Sequence, residues 1–307
     1  MTAAPRFHAL KIADIRRETP EAVSVAFDVP DGLRADFHFL PGQYLTLRAD
    51  LDGADCRRSY SICTAPDDGE VRIAVKEVAG GAFSTFVNRR LAVGDTIDVM
   101  PPAGRFTPAI DPSAARTYLG VAAGSGITPL MSIIRAVLHR EPDSAFILLY
   151  GNRTSQSVMF KTELDDLKDR FLGRLSVFHV LSREANDIDL LHGRLTGGRI
   201  ERLTRSALGS AGIDDAYLCG PEEVIGEARK ALAALGVPGG RIHDERFVAD
   251  GAIARQRREE AVARGGADVP LSVHLDGATH NLSIRPGETV LEAAAREGVD
   301  LPHSCTG

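Results

Sequence analysis

Ala123-Gly124-Ser125-Gly126-Ile127-Thr128-Pro129 joins the apolar run TYLGVAA to LMSIIRAVLHR, whose apolar residues recur at helical spacing. Glycines at 124 and 126 let backbone approach a pyrophosphate, and amides opening the helix would face its charge. Pro129 suits a first helical turn, where its missing N–H would be unpaired anyway. The loop lacks the third glycine of the dinucleotide fingerprint, so alone it also fits an ordinary strand-to-helix turn. The next apolar run, AFILLYG, leads into Asn152-Arg153, where an NAD-selective site usually places an acid. Arg153, Arg183 after Ser182, and Arg194 after Gly193 instead offer planar forks suited to a 2′-phosphate. Each alone fits a solvated arginine; the set favours NADPH.

A second group precedes it. Arg57-Arg58-Ser59-Tyr60-Ser61-Ile62 follows a strand and precedes a turn at Ala65-Pro66, and Gly80-Gly81-Ala82-Phe83-Ser84 comes next. Arg58 supplies charge for a pyrophosphate, Tyr60 a flat ring and Ser61 a hydroxyl. Gly81 and Ser84 offer another close backbone approach with donors. As isolated residues they equally describe a buried tyrosine and a serine turn. Further on, Cys219-Gly220-Pro221 ends a strand, where a buried cysteine is common, and Glu245-Arg246-Phe247 closes the alternating region.

Other chemistries lack their residues. No His/Cys group has metal-ligand spacing, and no G-x-S-x-G elbow occurs. A net charge of −6 and the absence of Trp argue against a nucleic-acid partner. No apolar run approaches the ~20 residues that span a bilayer, so no membrane association is expected. No signal peptide is visible, and Cys56, Cys63, Cys219 and Cys305 are too dispersed for a disulfide framework; a cytoplasmic protein with reduced thiols is expected. A nucleotide-binding subunit that serves assembly rather than turnover is a reading of a different class.

The elements that must position these residues fall into two rhythms. Up to residue 108, short β-type runs (AVSVAFDVP, YLTLRADLDG, EVRIAVKEV, DTIDVMPPAG) separated by turn signals predict an antiparallel barrel. From residue 112, strands alternate with helices, the last being EEVIGEARKALAAL before Gly236. Phe160, Leu164, Leu167 and Phe171 mark an earlier helix. This predicts a doubly wound parallel sheet covered on both faces. Residues 248–268 read as a charged linker, VPLSVHLDGATHNLSIRP as a hairpin turning near Asp276 and Gly277, and GETVLEAAAREGVD as a helix.

In order along the chain stand R-x-Y-S, V-K-x-x-x-G-G-x-F-S, P-x-G-x-F (Pro102 to Phe106), G-S-G-I-T-P, Y-G-N-R and C-G-P. Over residues 5–247 this resembles the ferredoxin–NADP reductase family. The resemblance implies an FAD-binding β-barrel at 5–108 and an NADP(H)-binding α/β domain at 112–247. Arg58 and Ser84 would hold the FAD pyrophosphate, with Ser59, Gly81 and Phe83 beside them. Tyr60 would stack on the isoalloxazine, Ser61 would hydrogen-bond near its N5, and Val75 and Lys76 would line it through their backbone. Gly124, Gly126 and Pro129 would form the dinucleotide loop, with Thr128 between flavin and nicotinamide. Arg153, Ser182, Arg183 and Arg194 would contact the adenosine phosphates. Cys219, with Gly220 and Pro221, would lie beside the nicotinamide, and Glu245 would relay a proton or orient groups at the ring edge. Val224 stands where family members often carry Met, a hydrophobic exchange.

The tail Leu301-Pro302-His303-Ser304-Cys305-Thr306-Gly307 is similar to the start of a plant-type ferredoxin loop, making Cys305 a [2Fe–2S] ligand in an untruncated chain. Such a loop needs four thiolates, so residues 269–307 would be an incomplete β-grasp ferredoxin domain. This domain order implies a reductase that takes hydride from NADPH and releases electrons singly to the oxygenase component of a multicomponent monooxygenase. YSIC, YGNRTSQSVMF and the late hairpin look most similar to reductases that feed a di-iron oxygenase of phenylacetate catabolism, and reductases of ketosteroid hydroxylases, which share the domain order, are the alternative.

Overall fold

The computed structural model describes residues 6–208, 212–247, 262, 265–266, 268–275, 278–297 and 299. Six strands form the first sheet: β1 (His8–Thr19), β2 (Ala22–Asp28), β3 (Tyr44–Leu51), β4 (Ala54–Ser61), β5 (Val71–Lys76) and β6 (Thr96–Val99). They lie in the order β4-β3-β6-β1-β2-β5, every pair antiparallel. The two end strands meet just beyond β4. Ile62 bridges Ile73, and the Cys63 amide donates to the Arg72 carbonyl at 2.9 Å. The sheet thus curls into a barrel around Leu10, Ile12, Leu45, Leu47, Ile73 and Val99.

Two local expectations are corrected here. The Arg57–Ser61 segment follows β3 but is itself the second half of a strand, β4, because a tight turn at Asp52-Gly53 sends the chain straight back along β3. Gly80–Ser84 is more than a serine turn, since it opens the helix α1 (Ala82–Arg89). Phe83 and Val87 sit four apart on that helix and both enter the barrel core.

The second sheet contains β7 (Thr117–Ala123), β8 (Ala145–Asn152), β9 (Leu175–Leu181), β10 (Asp215–Gly220) and β11 (Ile242–Arg246). Its order is β11-β10-β7-β8-β9, all parallel. The strands are apolar on both faces because both faces are covered. Helices α2 (Ile127–Arg140) and α3 (Lys161–Arg170) pack on one side, α4 (Gly197–Leu208) and α5 (Glu222–Ala234) on the other. From β7 the chain proceeds to β8 and β9, then crosses back to β10 and β11. Strand order therefore reverses between β7 and β10, where open α/β sheets bind ligands beyond the strands' carboxyl ends.

Helix α2 is apolar nearly all round because it is sandwiched. Its Ile127, Leu130, Met131, Ile134 and Val137 share one core with Ala22, Cys63, Ala74 and Phe106 from the barrel side. Its Ser132 hydroxyl donates to the Thr64 carbonyl at 2.6 Å. Arg140 pairs with Asp67 at 2.5 Å, and Arg135 lies 3.4 Å from Asp68.

A hairpin, β12 (Val269–Leu275) with β13 (Ala278–Ile284), precedes the helix α6 (Val290–Arg296), as its sequence predicts. The turn expected at Asp276 and Gly277, most of 248–268, and the tail with Cys305 lie outside the described residues. Among the described residues no helix is long and apolar enough to cross a membrane, and no group of three or more His, Cys, Asp or Glu could hold a metal.

Candidate active site

The dinucleotide loop is shaped by its neighbours as much as by any ligand. Strand β7 ends at Ala123, Gly124 takes φ +56°, and a single tight turn leads into α2. A Cβ on Gly126 would lie 2.1 Å from the Cys219 carbonyl oxygen, so only glycine lets β10 come this close. Nothing lies within 4 Å of where a Gly124 Cβ would be. The loop is tied down from below, where the Tyr150 hydroxyl donates to the Gly124 carbonyl at 3.0 Å. Thr128 and Pro129 are buried in the first turn of α2, and the Thr128 hydroxyl donates to the Ser125 carbonyl at 3.0 Å.

The two sheets meet at the end of β10. Cys219 is paired in register with Ala122 on one side and Glu245 on the other. Gly220, at φ +154°, packs against Ala123, and Pro221 leads into α5. From the barrel, the buried Ser61 donates its hydroxyl to Glu245 Oε2 at 3.2 Å. Burial pushes the Glu245 carboxyl up to about 7, against the lowering effect of that hydrogen bond. Burial first, and the charge of Glu245 second, raise the Cys219 thiol well above its ordinary range, so it stays a neutral thiol. Tyr60, next to Ser61, is half-buried with its ring 6.0 Å from that of Phe83.

Around the start of α1 the barrel residues divide into groups already engaged and groups still available. The Ser84 hydroxyl accepts the Val78 amide at 3.1 Å and donates to the Gly81 carbonyl at 3.2 Å. A Cβ on Gly81 would lie 2.7 Å from that hydroxyl oxygen. The amides of Ala82, Phe83 and Ser84 precede the first bond of the helix, Thr85 to Gly81, and so have no acceptor within it. Beside them is an open hollow of about 300 Å³ lined by Gly80, Gly81, Phe86 and Arg90 among others. Arg58 is half-buried on β4 and donates to the Arg57 carbonyl at 2.7 Å, while Ser59 is exposed. Val75 lies buried in β5 with its carbonyl bonded to Asn88, and Lys76 stands 3.7 Å from Glu21.

Arg153, Ser182 and Arg183 come together beyond the ends of β8 and β9. The Arg183 amide donates to the Arg153 carbonyl at 2.8 Å, and both side chains are exposed. Arg194 lies on a neighbouring turn and pairs with Glu223 at 3.3 Å. Three residues given no role by the motifs belong to this edge: Asn152, Ser155 and Glu184. Asn152 is buried, its Nδ2 having no partner in good geometry among the described residues while its side chain also interacts with the Tyr150 hydroxyl. A donor of this kind, on the last residue of β8 beside the Gly124 loop, fits a ligand rich in oxygen acceptors. Its position in the Y-G-N-R phrase is the only signal of it in the sequence. The amide-rich start of α1, the Gly126 cradle and this donor all suit phosphate-bearing cofactors.

Comparison with known proteins agrees with this geometry. Residues 10–107 match the Oxidoreductase FAD-binding domain, and residues 121–230 the Oxidoreductase NAD-binding domain. The chain is 43% identical over 304 residues to one of the subunits of 1,2-phenylacetyl-CoA epoxidase from Escherichia coli K12, covering 98% of this chain and 84% of that protein. It is 33% identical over 301 residues to the ferredoxin reductase component of 3-ketosteroid-9-alpha-monooxygenase from Rhodococcus rhodochrous, covering 96% and 82%. Its fold matches a ferredoxin NADP+ reductase from Neisseria gonorrhoeae, solved with FAD and NADP, with a TM-score of 0.64. That match has 21% identity and covers 78% of this chain and 98% of the other.

Proposed function

This chain belongs to the FAD- and NAD-binding oxidoreductases of the ferredoxin-reductase type, and from that we propose that it draws electrons from NADPH through FAD and delivers them singly to a [2Fe–2S] centre serving an oxygenase. Its activity is that of an NAD(P)H-dependent flavin oxidoreductase. The observation that carries this reading is the Ser61–Glu245 bond, which joins the barrel's Tyr60-Ser61 to β11, whose Glu245 is paired in register with Cys219, where β10 meets the Gly126 loop.

FAD, when bound, supplies the change from two-electron hydride acceptance to one-electron release. The protein's part is binding and orientation. Arg58 and the amides opening α1, which have no acceptor within the helix, would hold the FAD pyrophosphate; Ser84 would contribute its amide, its hydroxyl being engaged within the turn. Tyr60 would pack on the flavin ring, and Ser61 would present its hydroxyl at the ring edge. The Gly124–Gly126 amides and Asn152 Nδ2 would hold the dinucleotide pyrophosphate, and Arg153, Arg183 and Arg194 its 2′-phosphate. Glu245, with a carboxyl near 7, can hold or give up a proton at Oε2 next to Ser61 Oγ at neutral pH. The neutral Cys219 thiol would fill the space beside the nicotinamide without adding charge.

For the acceptor, the domain division 5–108, 112–247 and 269–307 supports a ferredoxin segment, with Cys305 as its first cluster ligand. The oxygenase of phenylacetyl-CoA epoxidation is the favoured partner, on the higher identity to a component of that epoxidase. A ketosteroid-hydroxylase oxygenase is the second reading, supported by the near full-length match to its reductase.

The test is direct. Purified chain should be yellow, release FAD on denaturation, and bleach anaerobically faster with NADPH than with NADH. It should then reduce an added [2Fe–2S] ferredoxin. Colourless protein that still binds an oxygenase would identify an assembly subunit instead.

A further inference from the structure

Two guanidinium groups repel each other, so a shelf that presents both to one anion needs something to hold them side by side. Beyond β8 and β9 the parallel ladder runs on past the strands. The Ser182 amide donates to the Asn152 carbonyl at 3.0 Å, and the Arg183 amide to the Arg153 carbonyl at 2.8 Å. The next link is made by a side chain. Glu184 Oε2 accepts the Ser155 amide at 2.7 Å and the Ser155 hydroxyl at 2.9 Å. These two donors hold the Glu184 carboxyl below the usual carboxylate range, so it is ionised throughout neutral pH.

Ser155 is itself firmly placed. The Thr154 amide donates to Ser157 Oγ at 3.0 Å, and Ser157 Oγ donates to the Thr154 carbonyl at 2.7 Å. Glu184 therefore fastens the loop after β9 to an ordered turn after β8, one residue beyond Arg183 and two beyond Arg153.

Resting on the NADPH reading above, we propose that Glu184 is a positioning residue for the 2′-phosphate: by gripping both Ser155 donors it keeps Arg183 alongside Arg153. It acts through the arginines and makes no contact with the dinucleotide. Glutamine at 184 keeps an oxygen that can accept from both donors, whereas alanine removes it. The two substitutions thus separate fastening from charge.

The experiment is calorimetric titration of the purified holoenzyme with adenosine 2′,5′-bisphosphate and with ADP, for wild type, Glu184→Ala, Glu184→Gln and Ser155→Ala. Wild type should prefer the 2′-phosphorylated ligand. Glu184→Ala should weaken that ligand by about tenfold, the scale of one charged hydrogen bond, and leave ADP unchanged. Glu184→Gln should restore wild-type binding, and Ser155→Ala should fall between. Wild-type preference that survives in Glu184→Ala overturns the proposal. So does tighter binding in both Glu184 variants, which would mark Glu184 as a charge opposing the phosphate, or an equal loss for both ligands. A wild type without preference removes the NADPH reading itself.

Discussion

Glu245 carries a proton-dependent strain at the meeting point of the two sheets. Its carboxyl stands at about 7 in the folded chain, above its ordinary 4.5, because burial disfavours the charge. A raised acid favours folding only while protonated, so its penalty grows as pH rises from 4.5 to 7 and is complete above that. Glu245→Gln should match wild type in thermal unfolding at acid pH and exceed it at pH 8 by roughly 2–4 °C. A variant less stable than wild type at pH 8 would mean that the Ser61 bond outweighs burial. Arg153→Ala should lower kcat/KM for NADPH by about tenfold and spare NADH; equal losses would reject the 2′-phosphate role. Tyr60→Ala should weaken FAD binding roughly fivefold or more, read from the flavin-to-protein absorbance ratio, and full occupancy would reject ring stacking. These residues are legible in the sequence because motif residues keep chemical type. Glu184 and Ser155 are not, since their partnership is a contact between two loops with no periodicity to announce it.

At the scale of elements, one glycine shows how a turn can be set by the strand behind it. Gly126 has φ −61°, which alanine adopts freely, so it is the contact with the Cys219–Gly220 peptide that forbids a side chain. Gly126→Ala should destabilise the chain by about 1–3 kcal/mol in urea unfolding. Gly226, in α5, has nothing within 4 Å of its would-be Cβ, and alanine there should stabilise by up to ~1 kcal/mol. Opposite signs for the two test the contact; a stable Gly126→Ala would show that β10 yields. The parallel strands are legible because continuous apolar runs of that length admit few other placements. Helix α4 is not: only Ile200, Leu203 and Thr204 of it are buried, and its remaining residues are largely polar or small. Nor does the sequence place β4 correctly, because its Arg57, Arg58 and Ser59 carry no apolar alternation and owe their strand to pairing with β3.

For the molecule as a whole, α2 belongs to both sheets at once. Ser132→Ala would leave the Thr64 carbonyl unsatisfied and should cost about 1–3 kcal/mol at any ionic strength. Arg140→Ala breaks an exposed pair, so its effect should stay within ~1 kcal/mol and vanish at about 1 M salt. An Arg140 effect that persists in salt would show that its stem, rather than its charge, packs the joint. The same helix begins at the glycine loop and is moored along its length to Thr64, Asp67 and Asp68. Anyone grafting the nucleotide half of a relative onto this barrel must therefore transplant residues 64–68 together with their matching helix. A seam cut between them would lose the contacts that seat the donor's helix, and the loop at its start, against the recipient's barrel.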